Sequence, residues 1–222
     1  MGSETMLMGD IVLTEDEVEP VMLKLQQEGI EQTSIHNHLL GETPHIVYMH
    51  IAGHGDAVKL ATSLSSALAL TKTPGSLAAG APTAAPTPID LDMKAVESAL
   101  GYPGKVSGGI LQFGIPRMEK INDNGMEIPP SMGTATAINF QPTGGGKAAI
   151  SGDFVMLASE VNPVLRALRT HGIEVEAMHN HMLFDEPHLY FMHFWANADA
   201  VTLARGLRVA LDATNSKKPE AK

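Results

Sequence analysis

The stretch GIEVEAMHNHMLFDEPHLYFMHFW, residues 172–195, decides how the rest of the chain is read. It aligns without a gap to residues 29–52, GIEQTSIHNHLLGETPHIVYMHIA, so that His179-Asn180-His181 falls on His36-Asn37-His38. The match extends in both directions at the same offset. Gly9-Asp10 lies on Gly152-Asp153, Glu17-Val18 on Glu160-Val161, Pro20 on Pro163, and Asp56-Ala57-Val58 on Asp199-Ala200-Val201. About half of some sixty positions are identical, which marks an internal duplication.

Each copy reads as strand, helix, strand, strand, helix. In the second copy Gly152–Leu157 is a short apolar strand, and Ser159 is placed to cap the next helix. Val161, Val164, Leu165 and Leu168 recur at helical spacing until Gly172. Pro163, near the helix start, sits where a missing N–H costs least. Two β-rich runs, Ile173–Leu183 and His188–Trp195, are joined by Phe184-Asp185-Glu186-Pro187, a hairpin connection. A last helix over 199–211 presents Val201, Ala204, Leu207 and Leu211 on one face. The expected fold class is α+β, with two duplicated βαββα units of ferredoxin-like type.

The copies are unequal. Residues 89–150 precede the second copy and have no counterpart before the first. They carry a helix over 92–100 and strands over 106–115 and 135–140, with Pro129-Pro130 and Gly144-Gly145-Gly146 at turns. The expected organisation is a first repeat over 1–70 lacking its N-terminal half and a flexible Pro/Ala/Gly-rich linker over 71–88. A complete second repeat over 89–213 and a disordered tail over 214–222 follow.

Composition narrows the function. A net charge of −10 opposes a nucleic-acid partner, which calls for concentrated Lys and Arg. No apolar run reaches the roughly 18 residues of a membrane span. With no cysteine, a metal site must draw on His, Asp or Glu. No signal peptide is visible at the N-terminus.

Residues two apart on a strand share a face, so His36 and His38 are expected to project together, as are His179 and His181. Two imidazoles on one face can converge on one ion. The neighbouring strand offers His50 and His193, or, at opposite parity, His45 and His188. His50 and His193 are favoured because the repeated Met-His string sets an apolar neighbour on the core side. Met178, Met182 and Met192 are expected to fill core rather than bind metal. Asn37 and Asn180 are expected to bond backbone.

The reading is therefore a divalent-metal-binding protein with a His-x-His plus His centre in each repeat, or one centre shared by the pair. The ligands are His36, His38 and His50, and His179, His181 and His193; if only one centre is filled, His179 and His181 are favoured. Zinc comes first as the ion, with copper, nickel and iron also compatible. An open zinc position would suit a metal-dependent hydrolase or lyase, with His188 or Glu186 as proton-transfer groups. The competing reading is a non-catalytic small-ligand-binding or assembly module with structural histidines. Partners are then a metal ion or small molecule, with homo-oligomer formation or repeat–repeat pairing open.

The strings Gly-Asp-Phe-Val-Met-Leu at 152–157, Glu160-Val161-Asn162-Pro163-Val164, His179-Asn180-His181, Asp185-Glu186-Pro187 and Met192-His193 resemble the LppY/LpqO family of bacterial proteins. Phe113-Gly114-Ile115-Pro116-Arg117 and Ile128-Pro129-Pro130 strengthen the resemblance. It implies a bacterial origin, export to the periplasm or cell surface, and no established reaction.

Overall fold

The structure is a computed structural model and describes residues 4–73 and 89–219. Most of the expected linker, from residue 74 to 88, and the last three residues of the expected tail lie outside the described residues. The chain is α+β and divides into two compact units, Met1–Thr83 with Asn180–Leu183, and Ala84–His179 with Phe184–Lys222.

The first unit runs β1 (Thr5–Leu13), α1 (Glu15–Gln27), β2 (Glu31–His36), β3 (Val47–Gly55) and α2 (Ala57–Leu68). Its sheet is antiparallel in the order β1-β3-β2. Thr14 opens α1, where the Glu17 carboxylate accepts the Thr14 N–H at 2.9 Å and satisfies a donor the helix cannot. Gly29, at φ 77°, supplies the left-handed turn that sends the chain into β2. Met49 and Ile51 on β3 meet Val21 and Leu25 of α1 in the core, which leaves Tyr48 and His50 on the opposite face of the sheet.

The second unit contains α3 (Met93–Leu100), β4 (Lys105–Ser107), β5 (Ile110–Pro116), β6 (Ile121–Asp123), β7 (Met126–Ile128), β8 (Ala135–Gly144) and β9 (Lys147–Met156). It continues with α4 (Ala158–Thr170), β10 (Glu174–His179), β11 (Asp185–Glu186), β12 (Tyr190–Asp199) and α5 (Ala200–Asp212). Six strands form one sheet in the order β10-β12-β9-β8-β5-β4, and β11-β6-β7 form a small second one. The series β9, α4, β10, β12, α5 repeats the order of the first unit, with β12 between β9 and β10 as β3 lies between β1 and β2. The match holds at single residues, for His50 stands opposite Asp10 and His193 opposite Asp153.

Local details depart from the sequence expectations. The cap of α4 is Leu157, not Ser159; the side chain of Glu160 reaches back to the Leu157 N–H at 2.8 Å, so the carboxylate three residues on defines the start. Pro163 consequently falls in the second turn, where it forfeits one bond to the Ser159 carbonyl. The single strand expected over 106–115 is two, because Gly108 and Gly109 adopt φ of 59° and 80° and turn the chain. The run 173–183 stops being strand at His179, and Asp185-Glu186, read as a hairpin connection, pairs with β6 instead. Met182 and Met192 are buried as expected, but Met178 is exposed.

At the end of the chain, Asn215 donates its N–H to Glu160, Ser216 bridges Arg117, and Lys217 donates its N–H to the Pro116 carbonyl at 2.7 Å. These contacts extend the end of β5 through residues placed, on sequence, in the tail. Around them lies a buried ion network. Arg117, its side chain 1% exposed, donates two hydrogen bonds to Glu160, two to Glu119 and one to the Val155 carbonyl.

The duplicated Gly-Asp pairs make a test of this architecture. A Cβ on Gly152 would stand 2.0 Å from the Ala137 carbonyl oxygen of β8 and 2.7 Å from the Phe194 ring, whereas one on Gly9 would meet only the flexible end of Ile51, at 3.3 Å. Gly152→Ala is expected to destabilise by about 2–3 kcal/mol, as overpacking does, while Gly9→Ala stays within about 0.5 kcal/mol. Urea unfolding of the two variants checks this; equal effects would mean that β8 does not pack against β9 as described.

Candidate metal centre

Strand register places His36, Tyr48, His50 and Asp10 on one face of the first unit's sheet, away from the helices. His36 is the last residue of β2 and stands opposite Tyr48 on β3; His50 stands opposite Ser34 on one side and Asp10 on the other. His38 lies past the end of β2 yet returns to the same place, its ring 5.0 Å from that of His36 and stacked at 3.4 Å on Tyr48. The His36 and His50 rings are also 5.0 Å apart and nearly parallel, at 6°.

One nitrogen from each of His36, His38 and His50 lies within 4.8 Å of the other two. Three nitrogens bound to a tetrahedral ion at about 2.0–2.1 Å would stand roughly 3.4 Å apart, so small side-chain rotations close the set. The cluster can therefore hold a metal ion. The His36 Nδ1 faces the Asn37 carbonyl at 3.1 Å, and because a carbonyl only accepts, Nδ1 carries the proton and Nε2 the lone pair. A backbone carbonyl in this role fixes ring and tautomer as it does for metal-bound histidines.

Asp10 completes the donor set. Its two carboxylate oxygens lie 3.5 Å from His38 Nε2 and 3.8 Å from His50 Nε2. Burial pushes the Asp10 carboxyl up to about 6. Burial also holds His36 below the ordinary imidazole value of 6.5, opposed in part by its bond to Asn37. Tyr48 is raised by burial and by the negative charges of Glu42 and Asp10. A carboxylate oxygen of Glu42 is itself buried with no hydrogen-bond partner among the described residues. Three imidazoles beside the Asp10 carboxyl group form a donor set suited to a divalent cation.

The other histidines read from the sequence are distributed as follows. His181 lies in the segment Asn180–Leu183 that belongs to the first unit, its ring 3.9 Å from that of His50, and its carbonyl accepts the Thr33 hydroxyl. In the second unit, His179 and His193 stack at 4.9 Å and 11°. The His193 Nδ1 donates to the Gly152 carbonyl at 3.1 Å, and its Nε2 stands 4.0 Å from Asp153. Within a single unit, then, His36, His38 and His50 form a three-histidine set, and His179 and His193 form a pair.

His45 faces Glu15 at 3.0 Å, and Asn37 bonds both His45 and the Ile46 carbonyl, so His45 is committed to the outer surface. His188 is held through Nδ1 by Asp185 at 2.8 Å, while the second oxygen of that buried carboxylate accepts the Leu189 N–H. Its Nε2 is left to carry the lone pair on a half-exposed ring. Glu186 is exposed, opposite Asn122 on β6.

Asp10 and Asp153 were not singled out on sequence. The signal was present: the Gly-Asp pair is one of the duplicated strings, and only the pairing of β1 with β3 shows that it shares a face with the histidines.

A family model described as a domain of unknown function (DUF1259) matches residues 1–70 and 94–213. The chain belongs to that family. The unmatched interval of this DUF1259 chain includes all of the expected linker, and every histidine and carboxylate described above lies in a matched span. No curated protein and no solved structure matches the chain. Among the described residues no helix is long and apolar enough to cross a membrane.

Proposed function

We propose that this protein binds a divalent metal ion, zinc in the first instance, through His36, His38 and His50, with Asp10 as the neighbouring carboxylate. The observation that carries the reading is the approach of three ligand nitrogens to within 4.8 Å on one sheet face. In the second unit His179 and His193 are the corresponding donors, and Asp153 the corresponding carboxylate. The resemblance to the LppY/LpqO family supports an exported bacterial protein, a compartment in which a thiol-free metal site escapes oxidation.

A three-histidine ion with an open position supplies Lewis acidity and an activated water, which fits a metal-dependent hydrolase or lyase. His188 and Glu186 are the proton-transfer candidates. Of the two, His188 has the better-prepared geometry, since Asp185 fixes its ring and tautomer.

Elemental analysis of protein purified without a polyhistidine tag or chelator tests the proposal, with at least one equivalent of metal per chain expected. Adding zinc to stripped protein at about 100 times the dissociation constant should stabilise the binding unit by about 2.7 kcal/mol. For a unit of this size that raises its unfolding midpoint by on the order of 10 °C. No bound metal and no shift would leave the histidines as a structural stack.

A further inference from the structure

The second unit holds a cavity that the histidine chemistry does not use. It has a volume of about 820 Å³, within the range of small-molecule sites. α3 and the loop after it form one wall, the outer face of β5 the floor, and residues 217–219 the other wall. That last wall is built in, for the N–H of Lys217 bonds the Pro116 carbonyl and the N–H of Met118 bonds the Asn215 carbonyl.

Two features give the cavity a chemistry. Tyr102 lines it, itself only 8% exposed, and its hydroxyl, approached on one side by the Arg208 guanidinium, has no acceptor for its own proton among the described residues. A buried phenol in that state gains from any acceptor that enters. Around it stand Lys94, Lys217 and Lys218, a local excess of positive charge on a chain whose net charge is −10. The one carboxylate of the lining, Glu97, already accepts the Gly104 N–H at 2.8 Å. Behind the ring, 5.4 Å from its centroid, stands the Arg208 guanidinium, which is paired with Asp212. Apart from Ser98, the remaining lining is apolar, supplied by prolines, glycines and the phenol ring.

We propose that this cavity binds a small amphipathic anion, a carboxylate on an apolar body. The carboxylate accepts from Tyr102 and meets the lysine ammonium groups, and the body lies over the floor at Gly114. This site is independent of the metal reading, and neither stands or falls with the other.

The floor supplies a clean variant. A Cβ on Gly114 would meet nothing within 4 Å, and its backbone is ordinary strand, so Gly114→Val fills the cavity without strain and suits β5. The test uses 1-anilinonaphthalene-8-sulfonate as a fluorescent anionic probe on the full chain, with decanoate and decanol as competitors. Saturable one-site binding is expected, displaced by decanoate and not by decanol. Gly114→Val should weaken the probe at least about 10-fold with unchanged circular dichroism and urea midpoint, and Tyr102→Phe by about 3- to 10-fold, the size of one hydrogen bond. Displacement by decanol as effective as by decanoate overturns the proposal, as does undiminished binding in a folded Gly114→Val chain.

Discussion

His50→Ala is expected to abolish zinc binding at the centre proposed in the first unit, lowering bound zinc by one equivalent per chain and weakening affinity there more than about 100-fold. The lower bound follows from scale, since losing even a group that only orients a ligand costs about 10–100-fold and His50 is itself a donor. Asp10→Asn, which keeps shape and removes charge, should fall inside that 10–100-fold range. His45→Ala should leave affinity unchanged, because its ring is engaged with Glu15 on the outer surface. The core beneath survives all three changes, because Met49 and Ile51 face the helices while His50 faces the other way. Zinc titration with a chromophoric competitor reads these differences, and an unaltered His50→Ala chain would rule out the assigned ligands.

Acid should act in the same direction. A bound imidazole must be neutral, so protons compete with the metal as pH falls below about 6.5. His36, held below that value by burial, is neutral further into acid than a free imidazole. In the metal-free chain His36 contributes with the same sign, because a histidine with a lowered folded value binds protons more tightly when unfolded. Its contribution is complete above pH about 6.5 and is lost as pH drops through that window. Asp10, raised to about 6 by burial, works the other way and favours folding as pH falls through that range.

The second large effect concerns stability alone. Arg117→Ala is expected to destabilise the second unit by about 3–5 kcal/mol, the cost of breaking a buried ion pair by removing one partner. The loss leaves the Glu160 and Glu119 carboxylates without their cation and the Val155 carbonyl without its donor. Glu160 also holds the N–H groups of Leu157 and Asn215, so the start of α4 and the end of the chain are disturbed together. Adding Glu160→Gln to Arg117→Met should recover part of the loss by removing the stranded charge. Urea unfolding measures both. A single variant within 1 kcal/mol of the parent would show that the network contributes little.

The sequence made the repeat visible because a chain compared with itself needs no outside reference. The element order followed from hydrophobic periodicity, and the preference for His50 over His45 from the apolar Met49 that precedes it in the repeated Met-His string. Other features depended on pairing that no local pattern records. The strand over 106–115 broke because two adjacent glycines took left-handed angles. Asp185-Glu186 joined β6, a partner more than sixty residues earlier in the chain. Asp10 entered the site only through the register of β1 on β3. The helix cap moved from Ser159 to Leu157 because Glu160, a residue counted only as part of a repeated string, outcompeted the serine.

The two units differ most in how much they bury. Among the described residues the first unit's core has nine buried members and the second's has twenty-five. A sheet of three strands with so small an apolar centre has little free energy to spare against chain entropy. If the proposed ion binds there, its occupancy and the cooperative folding of the unit become one equilibrium. Amide protons of β1, β2 and β3 should then exchange with solvent deuterium at rates set by free zinc, while those of β8, β9 and β12 remain indifferent to it. The smaller repeat would act as a gauge whose degree of order reports the metal content of its surroundings.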